Sequence, residues 1–241
     1  TKEMTVEEIL VDSSNTGTIT WALDLGKERL HRYLVDFGFN QKTDLDFPYE
    51  ASGVLKNLDN WSGVEIATTG MGQGIDVTPI QMLSAYNALA NGGVYVSPQI
   101  ISSILHSSGE KEYVATSPSH RVIGEQAARE MTQMLAAVVS RGTARKAGVP
   151  GYAIAAKTGT ARKVQPNGTY EDDEGNYRYA STVVGYFPAS APELSMIVII
   201  DEPVDNFYAS ETAAPLFGDL ASWALRHYKI SPSSDLVYSA S

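Results

Sequence analysis

Apolar and polar positions change period several times along the chain, and each change marks an element. Thr5 and Glu8 are spaced so that hydroxyl and carboxylate can satisfy first-turn donors reciprocally, which predicts a short helix ending near Asp12. The Ser13-Ser14-Asn15 turn follows. Ile19, Ala22 and Leu23 return to helical spacing over 16–25, up to Gly26, and Leu30, Tyr33, Leu34 and Phe37 share one face over 27–37. Residues 40–75 sustain no period and read as loop-rich. Thr78 followed by Pro79 is a helix start, and that helix is expected to reach about Leu89 and stop at Asn91-Gly92-Gly93.

Residues 94–115 alternate around Ser107-Ser108-Gly109, the pattern of a β-hairpin. A long helix is predicted over 124–140, with Ala127, Met131, Met134, Leu135 and Val138 inward. Three strand-like runs come next, at about 152–161, 179–187 and 194–201. The last is apolar nearly throughout, as expected of a strand buried on both faces. A helix at about 211–228 and a flexible, Ser-rich tail from Ser231 complete the reading. Strands gathered late among helices predict an α+β domain, with an antiparallel sheet flanked by helices.

Composition narrows the chemistry. With 43% apolar residues in 241, the chain can bury one sizeable core. A formal net charge of -10 makes nucleic acid a poor partner, because binding it requires clustered basic residues to replace counterions. There is no cysteine, and His31, His106, His120 and His227 are scattered, so neither a disulfide nor a structural zinc site is expected. No signal peptide or membrane-length apolar run is visible, which by itself decides nothing about compartment.

Two short motifs carry the candidate chemistry. Lys157-Thr158-Gly159-Thr160 lies in an apolar strand pattern. A glycine inside a strand often marks close approach by a ligand, and a lysine with two threonine hydroxyls suits a terminal carboxylate on an extended peptide. Ser13-Ser14-Asn15 could simply cap a helix; alternatively one serine relays a proton and the Asn15 amide holds a substrate carbonyl.

Together these motifs resemble the second and third active-site elements of the serine acyl-transferases that bind penicillin. Longer matches support the resemblance: Gly72-Gln73-Gly74-Ile75-Asp76-Val77-Thr78-Pro79-Ile80-Gln81-Met82, Gly142-Thr143-Ala144, Lys157-Thr158-Gly159-Thr160-Ala161 and Val184-Gly185-Tyr186-Phe187-Pro188-Ala189 are all similar to class B penicillin-binding proteins. The similarity runs over roughly residues 5–228.

The resemblance implies a D,D-transpeptidase that crosslinks peptidoglycan stem peptides and is acylated by β-lactams, with no cofactor or metal. Ser13 would match the serine that passes a proton toward the leaving group. Asn15 would match the residue orienting the substrate amide, and Lys157 the nearby positive charge. Thr158, Gly159 and Thr160 would bind the substrate, the two hydroxyls on its carboxylate, and the Thr160 N–H would be one oxyanion donor. The family's nucleophile and base lie in a Ser-x-x-Lys segment expected upstream of Thr1. Residues 1–230 would thus be the C-terminal part of the domain, lacking both that segment and the strand that flanks 194–201, so the chain alone is expected to be inactive and only marginally stable. The upstream half, and cell-wall synthesis proteins, are the implied partners. The implied location is the extracytoplasmic face of the bacterial cytoplasmic membrane, held by an N-terminal anchor. A β-lactamase or β-lactam sensor on the same fold, or a non-catalytic interaction module, are the alternatives.

The middle motif reads Ser-Ser-Asn where class A β-lactamases have Ser-Asp-Asn, and those enzymes also need a deacylating Glu. Glu50 stands at a comparable distance but within an ordinary loop, Phe47-Pro48-Tyr49-Glu50. Ser108-Gly109-Glu110-Lys111 formally fits Ser-x-x-Lys, yet it falls at a predicted hairpin tip and not on a helix. Gly70–Gly74 lacks the strand that a dinucleotide loop requires. Glu171–Gly175 fails the calcium-loop pattern and reads as a solvated tip close to the Lys157 strand. Arg141, Arg145 and Lys146 read as a solvated basic cluster.

Overall fold

The computed structural model describes residues 3–232 apart from 46 and 115. The expected flexible tail therefore falls, from 233 onward, outside the described residues. Helices α1 (Val6–Val11), α2 (Asn15–Leu25) and α3 (Lys27–Asp36) come first, and Thr5 and Glu8 form the reciprocal cap that starts α1. A second reciprocal cap, Ser62 with Glu65, begins α4 (Gly63–Gly70) after a 3₁₀ turn at Leu58–Asn60. The stretch expected to be loop-rich thus contains a helix. Its start signal, Ser62-x-x-Glu65, was present in the sequence, but eight residues with three glycine or threonine positions near the end give too short a periodic run to register.

Helix α5 (Pro79–Ala90) starts at the Thr78 cap with Pro79 in its first turn, as the sequence predicts. Strand β1 (Val94–Val96) follows, then β2 (Ser103–Leu105), β3 (Lys111–Tyr113) and β4 (Ser119–Arg121). Here the expectation of one hairpin over 94–115 is corrected. Only β2 and β3 form a hairpin, turning through 106–110, whereas β1 pairs antiparallel with β4. Alternation alone identifies strands and not their partners, and Pro98 separates β1 from β2 as Pro118 separates β3 from β4.

Helix α6 (Glu125–Arg141) leads through a 3₁₀ turn to the main sheet, β5 (Ala155–Arg162), β6 (Tyr179–Phe187) and β7 (Leu194–Asp201), and α7 (Ala213–His227) closes the order. The sheet is antiparallel in the order β5-β6-β7, so β5 is an edge strand, and Lys157 lies opposite Val184 and Gly159 opposite Thr182. Strand alternation divides its side chains between two cores. Ile154, Ala156, Val183 and Phe187 face α7, where Phe217, Ala221 and Leu225 are fully buried. Ala153, Ala155 and Tyr186 face the other way, against Leu135 of α6 and Tyr86 and Leu89 of α5. The Tyr186 hydroxyl, fully buried, shares a hydrogen with Thr132 at 2.7 Å, which satisfies the one polar atom that burying a tyrosine brings along. This two-sided packing holds β5 rigidly while leaving its outer edge unpaired.

Candidate active site

Ser13 sits in the turn between α1 and α2 with φ +54, a left-handed conformation that a residue with a Cβ adopts at a cost. The turn is tied down by backbone bonds from Ser13 to Leu10 and from Ser14 to Ile9. The three motif residues divide the work. The Ser14 hydroxyl caps α2 by accepting the Gly17 N–H at 3.2 Å, the bland role that such residues commonly play. Asn15 occupies the first helical position and is exposed. Ser13 is turned outward, and its hydroxyl lies 2.9 Å from the Lys157 ammonium on β5.

Lys157 is half-buried, and burial pushes its pKa down from 10.5 to about 8. It also donates to the Thr158 carbonyl at 3.0 Å. In an antiparallel strand, residues two apart present N–H and C=O to the same side. The Thr158 carbonyl is available to a side chain, so it points to the unpaired edge of β5, and the Thr160 N–H points there too.

Strand alternation places Lys157 and Gly159 on the face toward α5 and α6, and Thr158 and Thr160 on the face toward α7. The Thr160 hydroxyl accepts the Ala209 N–H at 3.1 Å, which leaves its own proton free. The Thr158 hydroxyl lies 2.7 Å from that of Thr143, just past the end of α6. Residues i and i+2 of a strand are about 7 Å apart, a spacing that one carboxylate can bridge with a hydrogen bond at each end. Gly159 is exposed between them, and a Cβ there would meet no heavy atom nearer than Thr182 Cβ at 4.0 Å. Nothing within the protein demands a glycine here. The open space faces outward, where a ligand chain along the edge would pass.

The discounted motifs settle elsewhere. Glu50 accepts both the Thr43 N–H at 2.9 Å and the Thr43 hydroxyl at 2.5 Å, so its carboxylate is committed to a loop. Ser108 is exposed at the β2–β3 turn, with Lys111 opening β3, and no helix brings the two onto one face. Asp172 accepts the Asn176 N–H at 2.8 Å across an exposed turn beyond the ends of β5 and β6. The basic cluster disperses: Arg141 pairs with Glu7, and Lys146 with Glu211. Among the described residues no acidic, histidine or cysteine cluster could hold a metal, and no helix is long and apolar enough to cross a membrane. Thr143 is the site residue to which the sequence reading gave no role, although it lay within the Gly142-Thr143-Ala144 match.

Residues 1–222 match the penicillin binding protein transpeptidase domain. The chain is 36% identical to penicillin-binding protein PbpB of Mycobacterium tuberculosis, covering 92% of this chain and 34% of that protein. It is 35% identical to stage V sporulation protein D of Bacillus subtilis, covering 95% and 35%, and 32% identical to peptidoglycan D,D-transpeptidase FtsI of Escherichia coli, covering 96% and 37%. The chain thus spans little more than a third of the length of these relatives. The crystal structure of penicillin-binding protein 3 from M. tuberculosis complexed with ampicillin superposes with a TM-score of 0.88 at 35% identity, over 98% of this chain and 55% of that one. The chain belongs to the penicillin-binding protein transpeptidase domain family, with class B penicillin-binding proteins as its relatives.

Proposed function

We propose that this chain forms part of a peptidoglycan D,D-transpeptidase, which transfers the acyl group of a D-Ala-D-Ala stem peptide through a serine ester and is inhibited by β-lactams. The contact between Ser13 Oγ and Lys157 Nζ at 2.9 Å carries the reading. It joins the two motifs beside an unpaired strand edge that offers two threonine hydroxyls.

The substrate's extended end lies along the edge of β5 with its carboxylate between Thr158 and Thr160. A serine hydroxyl on a Ser-x-x-Lys helix, supplied by an upstream segment of the same protein, attacks the carbonyl of the penultimate D-Ala. The oxyanion that forms accepts the Thr160 N–H, a donor typically worth about 3 kcal/mol of barrier. The nucleophile's proton passes to its base and on through Ser13, which takes one proton as it gives its own, to the departing amine as the C–N bond breaks. Asn15, exposed at the start of α2, holds the substrate amide. The amine of a second stem peptide then displaces the serine and forms the crosslink. A β-lactam follows the first half of this course, its ring amide opening while its carboxylate takes the same place. Glu50, the one carboxylate the sequence offered for hydrolysing the ester, is held by Thr43, which favours a transpeptidase over a β-lactamase.

The upstream segment also supplies the strand beside β7, and other cell-wall synthesis proteins are its partners on the extracytoplasmic face of the membrane. Intact mass after incubation with benzylpenicillin tests the reading. One adduct on the upstream segment of the intact protein, formed more slowly in Ser13→Ala, is expected. An adduct on Ser13, Ser14 or Ser108 would overturn the assignment of roles.

A further inference from the structure

We infer that Thr143 is a positioning residue that aims the Thr158 hydroxyl at the carboxylate of the bound peptide or β-lactam; the inference rests on the transpeptidase reading above. Each threonine hydroxyl has one proton to give. The 2.7 Å contact between Thr143 and Thr158 uses one of the two protons in the pair, and which one decides what Thr158 can do. If Thr158 donates to Thr143, it has nothing left for a ligand. If Thr143 donates, the Thr158 proton is released toward the cleft. A carboxylate selects the second arrangement, because a hydrogen bond to an anion is the stronger of the two choices. The chain then runs from Thr143 to Thr158 to the carboxylate.

The backbone around Thr143 is built to hold it still. The N–H groups of Gly142 and Ala144 both donate to the Val138 carbonyl, at 3.0 and 3.2 Å. Ala144 is fully buried in the core beneath α7. Gly142 presses on the end of α1, where a Cβ would stand 2.6 Å from the Val11 carbonyl, two residues before Ser13. The segment therefore touches both sides of the site, the end of α1 through Gly142 and the carboxylate-binding strand through Thr143. Thr160 needs no such help, since the Ala209 N–H already fills its acceptor and frees its proton.

The test compares acylation rates of the intact protein by benzylpenicillin and by benzylpenicillin methyl ester, which lacks the anionic carboxylate. Thr143→Val is expected to slow the acid roughly tenfold, the scale of one hydrogen bond to a charged group, and to leave the ester within about twofold. Thr143→Ser restores the acid rate, and Thr143→Val adds nothing in a Thr158→Val background. Thr143→Ala serves the same comparison should valine disturb the fold. Equal loss for acid and ester, or no loss for either, overturns the role of Thr143 alone. Failure of the unsubstituted protein to be acylated overturns the transpeptidase reading and this inference with it.

Discussion

Lys157 reaches across 144 residues of sequence to place its ammonium 2.9 Å from the hydroxyl of Ser13. The ammonium is half-buried, and no carboxylate offsets the loss of water, so burial alone lowers its pKa from 10.5 to about 8. In the unfolded chain the lysine keeps its proton up to the higher value. Between about pH 8 and 10.5 the unfolded state therefore binds the extra proton, and stability rises with pH across that window. Below pH 8 both states are charged and the burial penalty is felt in full. Lys157→Met is expected to raise the melting temperature at pH 7 and to flatten the rise between pH 8 and 10.5, while slowing acylation on the order of a hundredfold. Thermal melts across pH, set beside acylation rates, decide it. An unchanged melting profile would mean the lysine is not desolvated.

Two glycines in this region are predicted to behave in opposite ways. At Gly159 a methyl group meets nothing closer than 4.0 Å, so Gly159→Ala should change stability by no more than about 0.5 kcal/mol and yet weaken β-lactam acylation, because the methyl occupies the path of the ligand. At Gly142 the methyl would stand 2.6 Å from one backbone oxygen and 2.9 Å from another, neither able to swing aside. Gly142→Ala should cost about 1–3 kcal/mol or more in denaturant unfolding. Comparable stability losses at both positions would contradict the open space beside Gly159.

Gln81 is fully buried, and its amide spans three segments. Its Nε2 donates to the carbonyls of Gln41 and Ser52, at 2.7 and 2.8 Å, while its Oε1 accepts the Thr78 N–H at 2.9 Å. Gln81→Leu keeps the bulk and orphans these partners, each at about 1–3 kcal/mol if it stays dry. The expected result is a destabilisation of several kcal/mol by urea unfolding, with little change in the affinity of any ligand for the β5 edge in the fraction that remains folded. A variant as stable as the parent would show that water takes over the three bonds.

Gln81, together with the paired backbone bonds between Val54 and Asp76, ties Gln41, Ser52 and Val54 to the start of α5. Local chemistry made much of the chain legible. The Thr5–Glu8 and Thr78–Gln81 caps and the Pro79 start rest on interactions between residues close in sequence, so a single sequence states them. The short α4 escaped because its cap was followed by too little periodic sequence.

What the sequence by itself determined is most of the element order, α4 excepted, the α+β class and, through the resemblance of its motif stretches, the family. Only the tertiary structure decided which contacts each motif residue makes. Ser14 turned out to cap α2, and Ser13 to face Lys157. Strand alternation parted Lys157 from Thr158 and Thr160, and the pairing of β1 with β4 displaced an expected hairpin. Thr143 acquired its bond to Thr158 in the same way. A hydroxyl carries no mark of its partner; direction comes from the backbone, and the backbone at Gly142 and β5 is fixed by contacts between residues far apart in the chain.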